Sequence, residues 1–247
     1  MSTADDAVRL SQSGARVRFG WGPQAVRRFP ATHVVVVDVL RFTTAVDVAV
    51  SHGARVHPYR WRDGGAGHLA AETGAHLADG SSSPYSLSPA SLAGLNPGDA
   101  VVLPSPNGST CAALAHERGA VVLAACLRNA AAVAAWLDGT GAEDVLVVAC
   151  GEQWPDGAGL RPALEDELGA AAVVAQLGGS RSAEADAAAR LWTACADGAA
   201  DLVRGSASAA EARSRGWHDD LELACRVGAS DAVPLLLDGA FSDGSRR

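Results

Sequence analysis

Apolar residues fall along this chain in short unbroken runs that alternate with stretches of helical spacing. Val34 to Val37 is a run of four β-branched residues, the pattern of a strand covered on both faces. Asp38 closes the run, and after Thr43 apolar residues recur at Ala45, Val46, Ala49 and Val50, one face of a helix. The same order returns downstream. Ala100 to Leu103, Ala120 to Ala125 and Asp144 to Ala149 read as strands, with helices at Cys111 to Glu117 and Asn129 to Leu137. Further strands are predicted at Arg16 to Phe19, Arg55 to Tyr59 and Val233 to Leu237, and Gly20-Trp21-Gly22-Pro23 reads as a turn. Ala163 to Leu177 and Ser182 to Cys195 read as long helices. Leu69 to Glu72, Ser208 to Arg213 and Asp219 to Cys225 read as short ones. This alternation predicts an α/β fold on a βαβ sheet. One unit is expected over residues 16–240, with room for two closely packed subdomains, between flexible segments at 1–15 and 241–247.

The stretch from Asp63 to Gly98 breaks the pattern. It holds Asp63-Gly64-Gly65-Ala66-Gly67, Gly80-Ser81-Ser82-Ser83-Pro84, Pro89 and Asn96-Pro97-Gly98. A connection this long is either a surface excursion or a loop that covers a ligand.

Composition narrows the function classes. All 20 basic residues are arginines, so a P-loop lysine, a Schiff-base lysine and a lysine general base are excluded together. A formal net charge of -8 argues against a nucleic-acid partner, because a phosphate backbone needs a basic face. No apolar run reaches the ~20 residues of a membrane helix. MSTADDAVRL has no apolar core and does not read as a secretory signal, so a cytoplasmic location is expected. The five cysteines are odd in number and scattered, without ligand spacing, and read as reduced and mostly buried.

Three clusters carry candidate chemistry. Asp38 and Arg41 sit at the carboxyl end of a predicted strand, where open α/β sheets bind ligands, although a turn cap and a solvated loop residue would look the same. In PSPNGST, the residues Asn107, Gly108, Ser109 and Thr110 would open a helix whose free amides suit an anion, or would simply cap it. Glu165 and Asp166 at a helix start either complement its dipole or, with Asp38, supply the hard oxygens of a Mg²⁺ site. GxSxG, HExxH and GxxxxGK[ST] are absent. An aspartyl-phosphate mechanism of the haloacid dehalogenase kind would want a second aspartate at position 40, which is Leu40.

VVVVDVLRFTTAV, LPSPNGST, CLRNAAAVAAWL, LEDELGA and DDLELACRVGASDAVPLLLDG, in that order, resemble the 2-phosphosulfolactate phosphatase (ComB) family from about Val34 to Gly239. The resemblance implies a three-layer α/β/α arrangement around a largely parallel or mixed sheet. It also implies Mg²⁺-dependent hydrolysis of the phosphate monoester of 2-phospho-3-sulfolactate, in sulfolactate metabolism or coenzyme M synthesis. On this reading Asp38, Glu165 and Asp166 hold the metal, with Glu165 alternatively orienting water. Arg41, Thr43, Asn107, Gly108, Ser109, Thr110 and Arg128 bind the substrate, and Asp38, Arg41 and Glu165 are catalytic. The partner is then a small anionic phosphorylated molecule, with homo-oligomers allowed for. The pattern departs at Arg62-Asp63-Gly64-Gly65, and an Asn-Ser-Pro turn has two counterparts, Ser82-Ser83-Pro84 and Leu87-Ser88-Pro89. That departure leaves two alternatives open, a phosphatase of another small phosphoacid and a non-catalytic anion-binding relative.

Overall fold

A computed structural model describes residues 10–61 and 63–245. The expectations for residues 1–9, Arg62 and 246–247 lie outside the described residues. Among the described residues eleven strands are present: β1 (Val17–Trp21), β2 (His33–Val37), β3 (Arg55–Tyr59), β4 (His76–Leu77), β5 (Ala100–Pro104), β6 (Val121–Ala125), β7 (Val145–Ala149), β8 (Glu152–Gln153), β9 (Leu160–Arg161), β10 (Pro234–Leu237) and β11 (Ala240–Asp243). The helices are α1 (Gly22–Arg28), α2 (Phe42–Ser51), α3 (Gly65–Thr73), α4 (Pro89–Leu92), α5 (Gly108–Glu117), α6 (Ala130–Gly139), α7 (Leu164–Gln176), α8 (Ala183–Cys195), α9 (Ala199–Gly205), α10 (Ala207–Ser214) and α11 (His218–Ala224).

Nine strands form one sheet in the order β1-β7-β2-β6-β10-β11-β3-β5-β4. Pairing is parallel through β1, β7, β2 and β6 and again through β3, β5 and β4. The antiparallel hairpin β10–β11 joins these two sets. Strands buried on both faces need helices on both, and the alternation of side chains supplies two cores. Val35, Val37, Leu123 and Val147 pack with α6, α7 and α8. Val34, Val36, Leu146 and Val148 pack with α2 and α5. The fold is therefore mixed α/β, with helices around a largely parallel sheet.

The turn after β2 and the start of α5 after β5 belong to strands five places apart, ~24 Å in a flat sheet. They are nonetheless hydrogen-bonded, Gly108 N to Asp38 Oδ2 at 2.9 Å. Strand twist and coiling around α2 and α5, which touch strands of both sets, bring them together.

Several expectations are corrected. The Gly20 to Pro23 turn is the end of β1 and the beginning of α1, with Pro23 in the first helical turn, where its missing N–H costs nothing. Before β1, Ser11 is buried and Gln12 is tied to Phe19, donating to its carbonyl at 2.8 Å and accepting from its amide at 3.1 Å. The flexible segment therefore does not extend to residue 15. The tail expected from residue 241 begins inside β11, where Phe241 is fully buried between α2 and the sheet because its ring packs on Phe42. All five cysteines are free, and four are buried.

Candidate active site

Asp38 is the hub. One carboxylate oxygen accepts from Phe42 N at 3.0 Å and so caps α2, while the other accepts from Gly108 N. The turn is locked by Thr43, whose hydroxyl accepts from Asp38 N at 2.9 Å and donates to Asp38 O at 2.8 Å. Capping and site-building are here one role. Gly108 is required by close approach, since a Cβ there would lie 2.2 Å from the Phe42 ring and 2.8 Å from Asp38 Oδ2.

Asp166, in the first turn of α7, accepts from Val39 N at 2.7 Å and from Gly151 N at 2.8 Å, tying the turn after β2 to the turn after β7. Beside it Glu165 is buried, and its Oε2 has no hydrogen-bond partner. Glu152, just past β7 in the short β8–β9 hairpin, accepts from Asn107 Nδ2 at 2.8 Å. Burial, followed by the negative charge of Asp38, pushes the Glu152 carboxyl up to about 7. Burial raises Asp38 to about 6, against the hydrogen bonds from Phe42 and Gly108. Asp166 is raised well above the carboxylate range by burial and then by Asp38 and Glu165. Four carboxylates thus crowd one set of strand ends and repel one another's charge.

A cleft of about 420 Å³ opens here, lined among others by Asp38, Arg41, Asn107, Glu152, Arg215 and Trp217. Arg41 donates from Nη1 to Asp220 at 2.9 Å, and its guanidinium lies 3.5 Å from the centre of the Trp217 ring. Leu87 reaches the cleft, and Ser88 caps α4 while donating to Asp220, so Leu87-Ser88-Pro89 is the turn that meets the site.

Other expected ligands are placed elsewhere. Arg128 does not line the cleft; it donates to buried Asp47 at 2.6 Å and to Leu223 O at 3.4 Å. Ser109 is buried and donates to Leu103 O at 3.4 Å, and Thr110 donates to Pro106 O at 2.5 Å. These hydroxyls and that of Thr43 satisfy backbone rather than a ligand. The reading from sequence missed Glu152, although it follows β7 as Asp38 follows β2. It also missed Trp217, which lines the cleft, and Asp220, which holds Arg41, both in a helical segment far along the chain.

Whether these residues suit Mg²⁺ can be judged from the donors. All four are hard carboxylates carrying mutual repulsion that a cation would relieve, and Glu165 Oε2 is an unclaimed acceptor. The donor chemistry fits. Among the described residues, however, no three such side chains converge to hold an ion. Both oxygens of Asp38 and of Asp166 already accept backbone amides.

A twisted sheet clothed in helices, with its polar crevice beyond the strand ends, defines an α/β protein of the kind that acts on small ligands. The model of the 2-phosphosulpholactate phosphatase family matches residues 23–239, most of the chain, which therefore belongs to that family and is a phosphatase. No curated protein matches the chain. No helix among the described residues is long and apolar enough to cross a membrane.

Proposed function

We propose that the cleft hydrolyses the phosphate monoester of 2-phospho-3-sulfolactate to sulfolactate and phosphate with Mg²⁺, a step of sulfolactate or coenzyme M metabolism in the cytoplasm. The observation that carries this reading is the crowd of four carboxylates at the strand ends, one with an unpartnered buried oxygen, in a chain of this family. Asp38, Glu165 and Asp166 would hold the cation. When bound, it supplies Lewis-acid neutralisation of the phosphoryl oxygens.

The chain's own residues do the rest. Asn107 and the amide-rich start of α5 border the phosphate, held in register by the Gly108 to Asp38 hydrogen bond. Arg41 offers a planar fork to another acid group of the substrate. Glu152 has one oxygen held by Asn107 and is raised to about 7, so near neutral pH it can carry a proton for the departing sulfolactate oxygen. Glu165 ligates metal or orients the attacking water.

The test is phosphate release from a panel of phosphoacids, with added Mg²⁺ and after chelation. Release from 2-phosphosulfolactate above other phosphoacids, abolished by chelation and restored by Mg²⁺, is expected. Hydrolysis indifferent to chelation would remove the metal, and preference for a different phosphoacid would replace the substrate. Glu165→Gln should raise the Mg²⁺ concentration needed for half-maximal rate while leaving Tm nearly unchanged. An unaltered Mg²⁺ requirement would take Glu165 out of the metal set.

A further inference from the structure

Asp220 is an acid with no part in the chemistry above, yet it is buried at 2% exposure beside the cleft. Its carboxylate accepts from Arg41 Nη1 at 2.9 Å, from the Ser88 hydroxyl and from Ala90 N at 3.2 Å. One side chain of α11 thereby fixes the turn after β2 and the turn before α4. Trp217, at the entrance to α11, lies flat beneath Arg41, and the Arg215 guanidinium stands 5.1 Å from the centre of the same ring. Arg215 is exposed, is paired with Glu211 at 2.8 Å, and with it lines the cleft that Asp38 and Asn107 line.

A carboxylate gripping one nitrogen and an indole supporting the face leave the rest of the Arg41 fork uncommitted. Among the described residues no hydrogen-bond partner engages its Nε or Nη2. A guanidinium fixed on edge and face loses little further freedom when it binds, which is the condition for bidentate recognition of a planar or trigonal acid group. A second guanidinium on the same Trp217 ring, lining the same cleft as Arg41, points to a second anion rather than to the phosphate alone.

We infer that residues 215–220 are the specificity element of this site. Asp220 and Trp217 are positioning residues for Arg41, and Arg41 with Arg215 receives a second strongly acidic group, carboxylate or sulfonate, of the phosphate ester. This rests on the cleft being a phosphoester site. It adds that esters of neutral alcohols are poor ligands, because they bring no acid group to the uncommitted part of the Arg41 fork or to Arg215.

The experiment is calorimetric binding of two probes, sulfolactate and inorganic phosphate, to wild type, Arg215→Gln and Asp220→Asn, beside turnover of 2-phosphosulfolactate. For sulfolactate both variants should bind about ten-fold or more weakly, the loss of a charge-assisted hydrogen bond, while phosphate affinity stays within about two-fold. KM should rise with kcat nearly constant, and Arg215→Lys should recover part of the loss. Equal weakening toward both probes would reveal only general electrostatics and overturn the inference, as would unchanged sulfolactate binding in Arg215→Gln. Should Asp220→Asn fail to fold, Arg215→Gln, an exposed position, decides alone. If wild type binds sulfolactate and the variants weaken it but no ester is hydrolysed, the phosphatase reading fails and the inference stands. If wild type binds no sulfolactate, the inference fails whatever the turnover.

Discussion

Arg128 donates to Asp47 and Arg41 donates to Asp220, each across a long stretch of sequence and each to a carboxylate almost wholly out of water. Arg128 commits Nε to Asp47 and Nη1 to the Leu223 carbonyl, and Asp47 takes a further hydrogen bond from Ser230 at 2.6 Å. That pair is sealed and ties α2 to the segments before α6 and β10. Arg41 commits one nitrogen and one face and borders a cleft. A buried arginine–aspartate pair is therefore a binding device only when part of the fork is left over. The same two residue types otherwise only join pieces of chain.

The comparison is most exposed to failure at Arg128. Removing one partner of a sealed pair strands a charge, so Arg128→Ala should cost about 3–5 kcal/mol of unfolding free energy in denaturant titration. The folded fraction should keep a normal KM. A raised KM would mean that Arg128 reaches substrate after all. Arg41→Lys keeps the charge and loses the fork, so kcat/KM should fall by roughly ten- to a hundred-fold, about 1.5–3 kcal/mol, with far less effect on stability. Wild-type kcat/KM in that variant would make the two pairs equivalent.

Gly108→Val tests the packing between these extremes. Its side chain would press on Phe42 and on the Asp38 carboxylate, so Tm should fall by the equivalent of about 1–3 kcal/mol and kcat should fall with it. Loss of activity at unchanged Tm would instead indicate that the side chain blocks only the ligand.

The smallest effect concerns pH. Burial holds the Glu152 proton up to about 7, above its unfolded value of 4.5, so the folded state binds that proton more tightly than the unfolded chain. Stability from this source is intact below about pH 4.5 and lost as pH rises to about 7. Glu152→Gln should therefore match wild type near pH 4 and exceed it at pH 8 by on the order of 2 kcal/mol in chelator. A difference independent of pH would show that Glu152 titrates normally.

Strand β2 ends where its run of valines ends, because a run sealed on both faces has a sharp end, and β3 has the predicted bounds although only Val56 and His57 in it are buried. Helix α1 was hidden by Gly22-Pro23, which reads as a turn and is in fact a helix start. Strand β11 was hidden by its shortness, although Asp238-Gly239, both at positive φ, is the sequence signal of a two-residue hairpin. In the site, Asp38, Asn107, Gly108 and the Glu165-Asp166 pair could be read from strand ends and helix starts, which are local. Whether Arg128 faces a ligand depends on Asp47, 81 residues away, and no local pattern records that distance. The seat of Arg41 likewise arrives from α11, far along the chain.

The β10–β11 hairpin also imposes an order on synthesis. Residues 234–243 form the seam between β6 and β3, so the two parallel sets cannot be paired into one sheet until that stretch has left the ribosome. Nascent chains halted before Pro234 would carry two unpaired sheet edges, the exposed β surface on which neighbouring chains aggregate.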